Sequence, residues 1–377
     1  RWIEKPRAIK HGETARGRAQ ATGVAKLANT MEAGRSAATD DARTKAALET
    51  AGGPRAPKSA GAPREGRSIV AVDGLVKRYG EVLALDHFNL RIEPGEVFGL
   101  LGPNGSGKTT AINCMLQLLT FDKGTIELFG ELMRPSRYDL KRRIGVVPQN
   151  VAVFEELTVR ENIDYFCALY VSDRARRRDL VDEAVAFAGL EGYERFRPRK
   201  LSGGLLRRLN IACGIAHKPE LVFFDEPTVA VDPQSRNAIL EGIRQMNRAG
   251  STVVYTSHYM EEVEEICTRL MIMDRGRALA TGTNAELKAM VDAGEKIQVD
   301  VPELPDAALE RLRMLPHVRR ALYRDGVLEL ACANGTHNLG DVLAVLQAFG
   351  AAFGRVWAEP PTLNDVFLEI TGTELRD

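Results

Sequence analysis

The run Gly102-Pro103-Asn104-Gly105-Ser106-Gly107-Lys108-Thr109-Thr110 combines glycines, a lysine and hydroxyls at the spacing GxxxxGK[ST], that of a loop which cradles phosphate. Glycine at 102, 105 and 107 lets the backbone turn with its N–H groups facing inward. The result is an anion nest that continues into the positive end of a following helix. Lys108 would neutralise the β and γ phosphates of a nucleotide, and the Thr109 hydroxyl is placed to ligate Mg²⁺. A second, acidic site is needed to hold the metal and activate water, and Leu221-Val222-Phe223-Phe224-Asp225-Glu226 provides it. Its apolar residues read as a buried strand whose carboxyl end presents two adjacent acids. Asp225 is expected to orient Mg²⁺, directly or through water. Glu226 is expected to be the general base for the attacking water of an in-line phosphoryl transfer.

These residues indicate a nucleotide hydrolase, and Leu201-Ser202-Gly203-Gly204 narrows the class. This segment opens an amphipathic helix carrying Leu206, Leu209, Cys213 and Ala216. A hydroxyl and backbone donors at a helix start offer a second anion site. Here the sequence resembles the ATP-binding subunits of ABC transporters, over residues 68 to about 290, with every expected motif in order. The resemblance implies that Tyr79 stacks on adenine, that Pro103, Asn104, Ser106 and Thr110 complete the ATP-binding loop, and that Gln149 senses Mg²⁺ and the membrane partner. It also implies that Asp232 makes a dimer contact and that His258 holds the γ-phosphate. Ser202, Gly203 and Gly204 would face the ATP of a second protomer, so two chains sandwich two ATP molecules head to tail.

Two departures from the family pattern stand out. Leu205 occupies the place where glutamine usually follows the signature glycines, and Thr228-Val229-Ala230-Val231 precedes Asp232 where a Ser or Gly and a Leu are usual. Activity is expected to survive the first; the second bears on rate and dimer affinity.

The elements that must position these groups alternate. Ile69 to Val72, Val82 to Ile92, Glu96 to Leu101 and Thr125 to Phe129 read as strands, with a helix from Lys108 and a strand from Thr252 to Thr256. Such alternation implies an α/β fold with helices on a mixed sheet. A helical subdomain is expected over about residues 150–218. In the family it docks a cytoplasmic helix of the permease, and Phe154, just past Gln149, is the expected exposed contact. The run from Arg174 to Arg178 is flanked by Asp173, Asp179, Asp182 and Glu183 and reads as a solvated helix face. Past His258 come strands Arg269 to Met273 and Arg277 to Ala280 and a helix near Ala285 to Val291. Residues 294–377 then read as a βαββαβ, ferredoxin-like α+β domain. A capped helix starts after Pro361, with Leu363, Val366, Phe367 and Ile370 on one face. This tail resembles that of the exporter branch that includes the daunorubicin-resistance and sodium-export ATPases. The ATPase domain is expected over 68–293.

With 51 Lys plus Arg and 51 Asp plus Glu the formal charge is zero. Residues 1 to 70, however, carry 14 basic and 7 acidic side chains, a net of +7. Over residues 1–67 few large apolar residues stand among Ala, Gly, Arg and Pro, which cannot offset the entropy of ordering, so disorder is expected. No apolar run approaches the roughly 20 residues of a membrane span. The five cysteines are scattered without a CxxC pair, arguing against a zinc site or a disulfide framework. The resemblance therefore implies a Mg²⁺-dependent ATPase, cytoplasmic and peripheral on the inner face of the membrane. Its partners would be an integral membrane permease subunit and a second ATPase subunit forming a homodimer, with no nucleic acid. The alternative is a soluble ABC ATPase acting on ribosomes or another non-membrane partner, though the ribosomal group resembles two fused cassettes where this chain has one.

Overall fold

A computed structural model describes residues 68–290, 294–333 and 338–371; the extension over 1–67 lies outside them. Strands β1 (Val70–Tyr79) and β2 (Val82–Ile92) form an antiparallel hairpin. β1 runs past the expected end at Val72 because an irregularity around Gly74, at φ +56, breaks strict alternation. Leu75 and Val76 are then both buried. This sheet has the order β2-β1-β4-β5, with β4 (Lys123–Leu128) and β5 (Glu131–Leu132).

The second sheet positions the chemistry. β3 (Val97–Leu101), β6 (Ile144–Val147), β7 (Leu221–Asp225), β8 (Thr252–Ser257), β9 (Arg269–Asp274) and β10 (Arg277–Gly282) lie in the order β10-β9-β3-β8-β7-β6. β3, β7 and β8 are mutually parallel and buried along their whole length. That explains why β3 and the first four residues of β7 read as continuous apolar runs rather than alternating ones. Their carboxyl ends therefore emerge on one edge: the phosphate loop after β3, Asp225 and Glu226 at the end of β7, and His258 just after β8. In parallel sheets ligands bind at this edge.

Helix α1 (Lys108–Met115) follows the phosphate loop, and the short α2 (Tyr138–Lys141) precedes β6. The helical subdomain contains α3 (Val159–Ala168), α4 (Arg174–Phe187) and α5 (Gly203–Ile215). Thr158 and Glu161 close a capping box at the start of α3, and Asp173 and Ser202 cap α4 and α5. The three helices bury Val159, Ile163, Val181, Leu209 and Cys213 together. Arg174, Arg176 and Arg178 are exposed and Arg177 pairs with Asp164 at 2.8 Å, in keeping with a solvated basic face. α6 (Pro233–Arg248), α7 (Met260–Ile266) and α8 (Asn284–Met290) complete this part.

The remaining elements, β11 (Lys296–Asp300), α9 (Asp306–Arg313), β12 (Val318–Arg324), β13 (Val327–Cys332), α10 (Asn338–Ala348) and β14 (Val356–Glu359), have the expected βαββαβ order. They build an antiparallel sheet ordered β12-β13-β11-β14. The last helix, α11 (Leu363–Thr371), packs on the ATPase core and stays tied to β11 by the Asp365–Lys296 ion pair. Leu363, Val366 and Phe367 share an apolar cluster with Val263, Ile266 and Leu287, and the Leu363 amide donates to Glu264 Oε1 at 2.8 Å. Ile370, expected on the same buried face, is 38% exposed, because the cluster it would join ends at Phe367. Among the described residues no helix is long and apolar enough to cross a membrane.

Phe367 is 2% exposed, so Phe367→Ala should cost about 3 to 5 kcal/mol of stability through lost burial and a residual cavity. Urea unfolding measures this; a midpoint equal to that of the wild type would show that α11 does not pack on the core in solution.

Candidate active site

The phosphate loop is closed by backbone contacts. Gly107 caps α1 at φ +105, and a Cβ there would lie 2.8 Å from Ala84 O. A Cβ on Gly102 would lie 2.3 Å from Met273 O, so both positions require glycine. Asn104 and Gly105 are exposed at the loop tip, Pro103 and Thr110 are half-buried, and Thr109 is exposed at the start of α1. Ser106 Oγ is buried without a hydrogen-bond partner among the described residues.

Lys108 is only 4% exposed, and its ammonium donates to Gly102 O at 2.7 Å and Pro103 O at 3.2 Å, with Glu226 Oε1 at 3.4 Å. Burial pushes its pKa below the usual lysine value, and the Glu226 carboxylate opposes the shift. Asp225 Oδ1 accepts from Thr109 Oγ1 at 3.1 Å and from Thr256 Oγ1 at 2.9 Å. Burial raises the Asp225 pKa, partly offset by these two hydroxyls. Thr109 and Asp225 are hard oxygen donors adjacent to one another, the chemistry that Mg²⁺ takes; the residues present fit the ion.

Glu226 lies in the left-handed region at φ +45, a conformation uncommon for a residue with a side chain and one that marks a held turn. Its amide donates to Thr256 Oγ1 at 2.9 Å. Gln149 Nε2 donates to its Oε2 at 2.7 Å, and His258 Nδ1 stands 3.5 Å from its Oε1, with no hydrogen bond among the described residues. Lys108, Thr109, Gln149, Asp225, Glu226 and His258 are thus brought together from separate loops.

The other expected residues form a second group or stand apart. Ser202 caps α5 and accepts from the Leu205 amide at 3.3 Å. Gly203 is exposed, whereas a Cβ on Gly204 would meet Ser235 Oγ at 2.2 Å and Asp232 Oδ2 at 2.8 Å. Asp232 caps α6 by accepting from the Ser235 amide at 2.9 Å, and that bond holds its carboxyl below the usual range. The signature segment and Asp232 therefore pack side by side. Among the described residues, no hydrogen bond joins Ser202, Gly203 or Gly204 to the Lys108–Glu226 group. Leu205 is half-buried against the helical core, so the departure at this position is used for apolar packing. Tyr79 ends β1, 47% exposed, with the Lys77 ammonium 5.0 Å above its ring. Phe154 is half-buried rather than exposed, lining a groove with its ring 4.8 Å from that of Tyr165 and 5.9 Å from that of Phe166.

Sequence reasoning missed Thr256, which holds both acids, and Arg207, which touches both loops that bear Gln149 and Glu226. The available signal for Arg207 was its position on α5: Gly204, Arg207 and Ile211 share one face at helical spacing, and all three are buried.

Residues 85–229 match the ABC transporter family. The chain is 35% identical over 311 residues to the linearmycin resistance ATP-binding protein LnrL of Bacillus subtilis, covering 82% of this chain and all of that protein. It is 36% identical to the daunorubicin resistance ATP-binding protein DrrA3 of Streptomyces coeruleorubidus, over 82% of this chain and 98% of that one. It is also 36% identical to the Nod factor export ATP-binding protein I of Cupriavidus metallidurans, over 82% and 99%. Among solved structures, the dimeric post-hydrolysis state of the ATP-binding cassette MJ0796 bound to ADP and Pi aligns with a TM-score of 0.52 at 26% identity, covering 57% of this chain and 98% of that one.

Proposed function

The chain belongs to the ATP-binding proteins of ABC transporters, and on that premise we propose that it is the ATP-hydrolysing subunit of an exporter. It closes as a dimer around Mg²⁺-ATP and drives substrate through a separate integral membrane permease. The observation that carries this reading is the convergence of Lys108, Gln149 and His258 on the Glu226 carboxylate at 3.4, 2.7 and 3.5 Å. The relatives named for resistance and export support it, as does the dimeric cassette with ADP and Pi.

In this reading Glu226 takes a proton from water as that water attacks the γ-phosphorus and the bond to the ADP oxygen breaks. Lys108 exchanges the carbonyls of Gly102 and Pro103 for phosphate oxygens, and backbone N–H groups of the loop and of the first turn of α1 hold the rest of the chain of phosphates. His258 Nδ1, which has no hydrogen-bond partner among the described residues, is free to contact the γ-phosphate. Thr109 and Asp225, with Gln149, would hold Mg²⁺, which would supply neutralisation of the phosphate charge. Ser202, Gly203 and Gly204 of one protomer present donors to the ATP held by the other, and Asp232 lies at that contact. Tyr79 stacks on adenine. The protein works on the cytoplasmic face of the membrane, bound there through the permease.

The permease docks in the groove lined by Phe154, Tyr165, Phe166, Leu169 and Tyr170, next to the Gln149 loop. A charge there should break the contact. Phe154→Asp is expected to retain ATP binding and to lower recovery of the permease in a membrane pull-down by at least about tenfold, the 1.4 kcal/mol scale of a single lost anchor. Recovery equal to wild type would move the docking surface elsewhere.

A further inference from the structure

Arg207 stands on α5 three residues after the signature glycine Gly204, and it is 4% exposed. Its guanidinium spends its donors on five main-chain carbonyls. Nε donates to Pro227 O at 2.7 Å; Nη1 donates to Pro148 O and Gln149 O, both at 2.8 Å; Nη2 donates to Glu226 O at 3.1 Å and Asp225 O at 3.3 Å. A guanidinium has five N–H bonds, so all are used. A buried arginine is ordinarily paired with a carboxylate, yet no ion pair is found for this one among the described residues. Burial accordingly pulls its pKa down to about 10, opposed by the charge of Asp225.

The five carbonyls belong to just two loops, one bearing Gln149 and the other bearing Asp225 and Glu226. The side chains of Gln149 and Glu226 meet at 2.7 Å. Each loop has a tie of its own, Asn210 Nδ2 donating to Pro148 O at 3.3 Å and the Glu226 amide to Thr256 Oγ1 at 2.9 Å, but Arg207 reaches both loops at once. Lysine could not do the same work, because a point ammonium with three donors does not match a planar array of five acceptors.

We propose that Arg207 is a positioning residue that fixes the Gln149 and Glu226 loops to the signature helix, so that the general base and the loop glutamine move only as the signature moves. The inference rests on the proposed ATPase reading, with Glu226 as base. Because the signature segment is the surface that meets the partner's ATP in that reading, engagement of one nucleotide is passed through Arg207 to the base that serves the other. Arg207 touches no phosphate itself.

The test compares full-length wild type, Arg207→Gln and Arg207→Lys for nucleotide binding with a fluorescent ATP analogue, for steady-state hydrolysis of Mg²⁺-ATP, and for thermal unfolding. The expected result is a split: affinity for the analogue and KM within about threefold of wild type, with kcat down on the order of 100-fold for Arg207→Gln, the cost of a misplaced catalytic group. Arg207→Lys, which keeps a cation and fewer donors, should fall between. A folded Arg207→Gln with wild-type kcat overturns the inference. So does a loss of kcat no larger than the loss of folded, ATP-binding protein, which would mark a purely structural role. If Arg207→Gln does not fold, Arg207→Lys decides alone by the same criteria. Wild type that hydrolyses no Mg²⁺-ATP contradicts the ATPase reading itself, a result distinguishable from failure of the variants.

Discussion

Glu226→Gln is expected to bind Mg²⁺-ATP as wild type does and to hydrolyse it about 10² to 10⁴ times more slowly, the usual contribution of a general base. The substitution is nearly isosteric, and the amide can still meet Gln149 Nε2, now 2.7 Å from Glu226 Oε2. What it removes is the charge that attracts Lys108 at 3.4 Å and accepts the proton of water. Binding depends on the loop from Gly102 to Thr110, which the change does not touch. Phosphate release measured under saturating ATP, beside a binding isotherm, separates the two effects. With turnover blocked and binding kept, the protein should also accumulate as an ATP-bound dimer visible by light scattering. Turnover at the wild-type rate would remove Glu226 from the role of base, and a persistent monomer in excess ATP would count against the head-to-tail dimer.

Lys108→Ala should act one step earlier, on binding. The ammonium is nine-tenths or more buried and holds the carbonyls of Gly102 and Pro103 at 2.7 and 3.2 Å. With nucleotide bound, its hydrogen bonds go to an anion, each worth about 1.5 to 3 kcal/mol, so ATP affinity should fall about 10- to 100-fold. The loss should be larger for ATP than for adenosine, which carries no phosphate for the lysine to meet. Equal weakening of both ligands would point to collapse of the loop rather than loss of the charge.

Much of the candidate site was legible because its residues are fixed by short, local rules. The phosphate loop is contiguous in sequence, and its glycines are demanded by backbone contacts such as the 2.3 Å from a Gly102 Cβ to Met273 O. The acidic pair follows a fully apolar strand whose depth in the sheet is written in its composition. Contacts made by main-chain acceptors were not legible. Arg207 reads as one more arginine beside Arg208, and only the fold brings Pro148, Gln149, Asp225, Glu226 and Pro227 to its five donors. Thr256 likewise looked like the end of an apolar strand until the neighbouring β7 placed both acids beside its hydroxyl. The partial burial of Phe154 was not legible because it depends on Tyr165 and Phe166 one helix later. In the C-terminal part, alternation shows the βαββαβ order, but nothing local says that α11 packs on α7 and α8.

Hydrolysis assays probe the chemistry, whereas the claim that this chemistry powers export rests on the partner. The most direct test is a tagged pull-down from gently detergent-solubilised membranes in the presence of ATP, identified by mass spectrometry. The account predicts recovery of a multi-span integral membrane protein in near-equal amount, lost when Phe154 is replaced by Asp. Recovery of ribosomal proteins or DNA-associated factors, with nothing integral to the membrane, would leave the ATPase standing and contradict the export function.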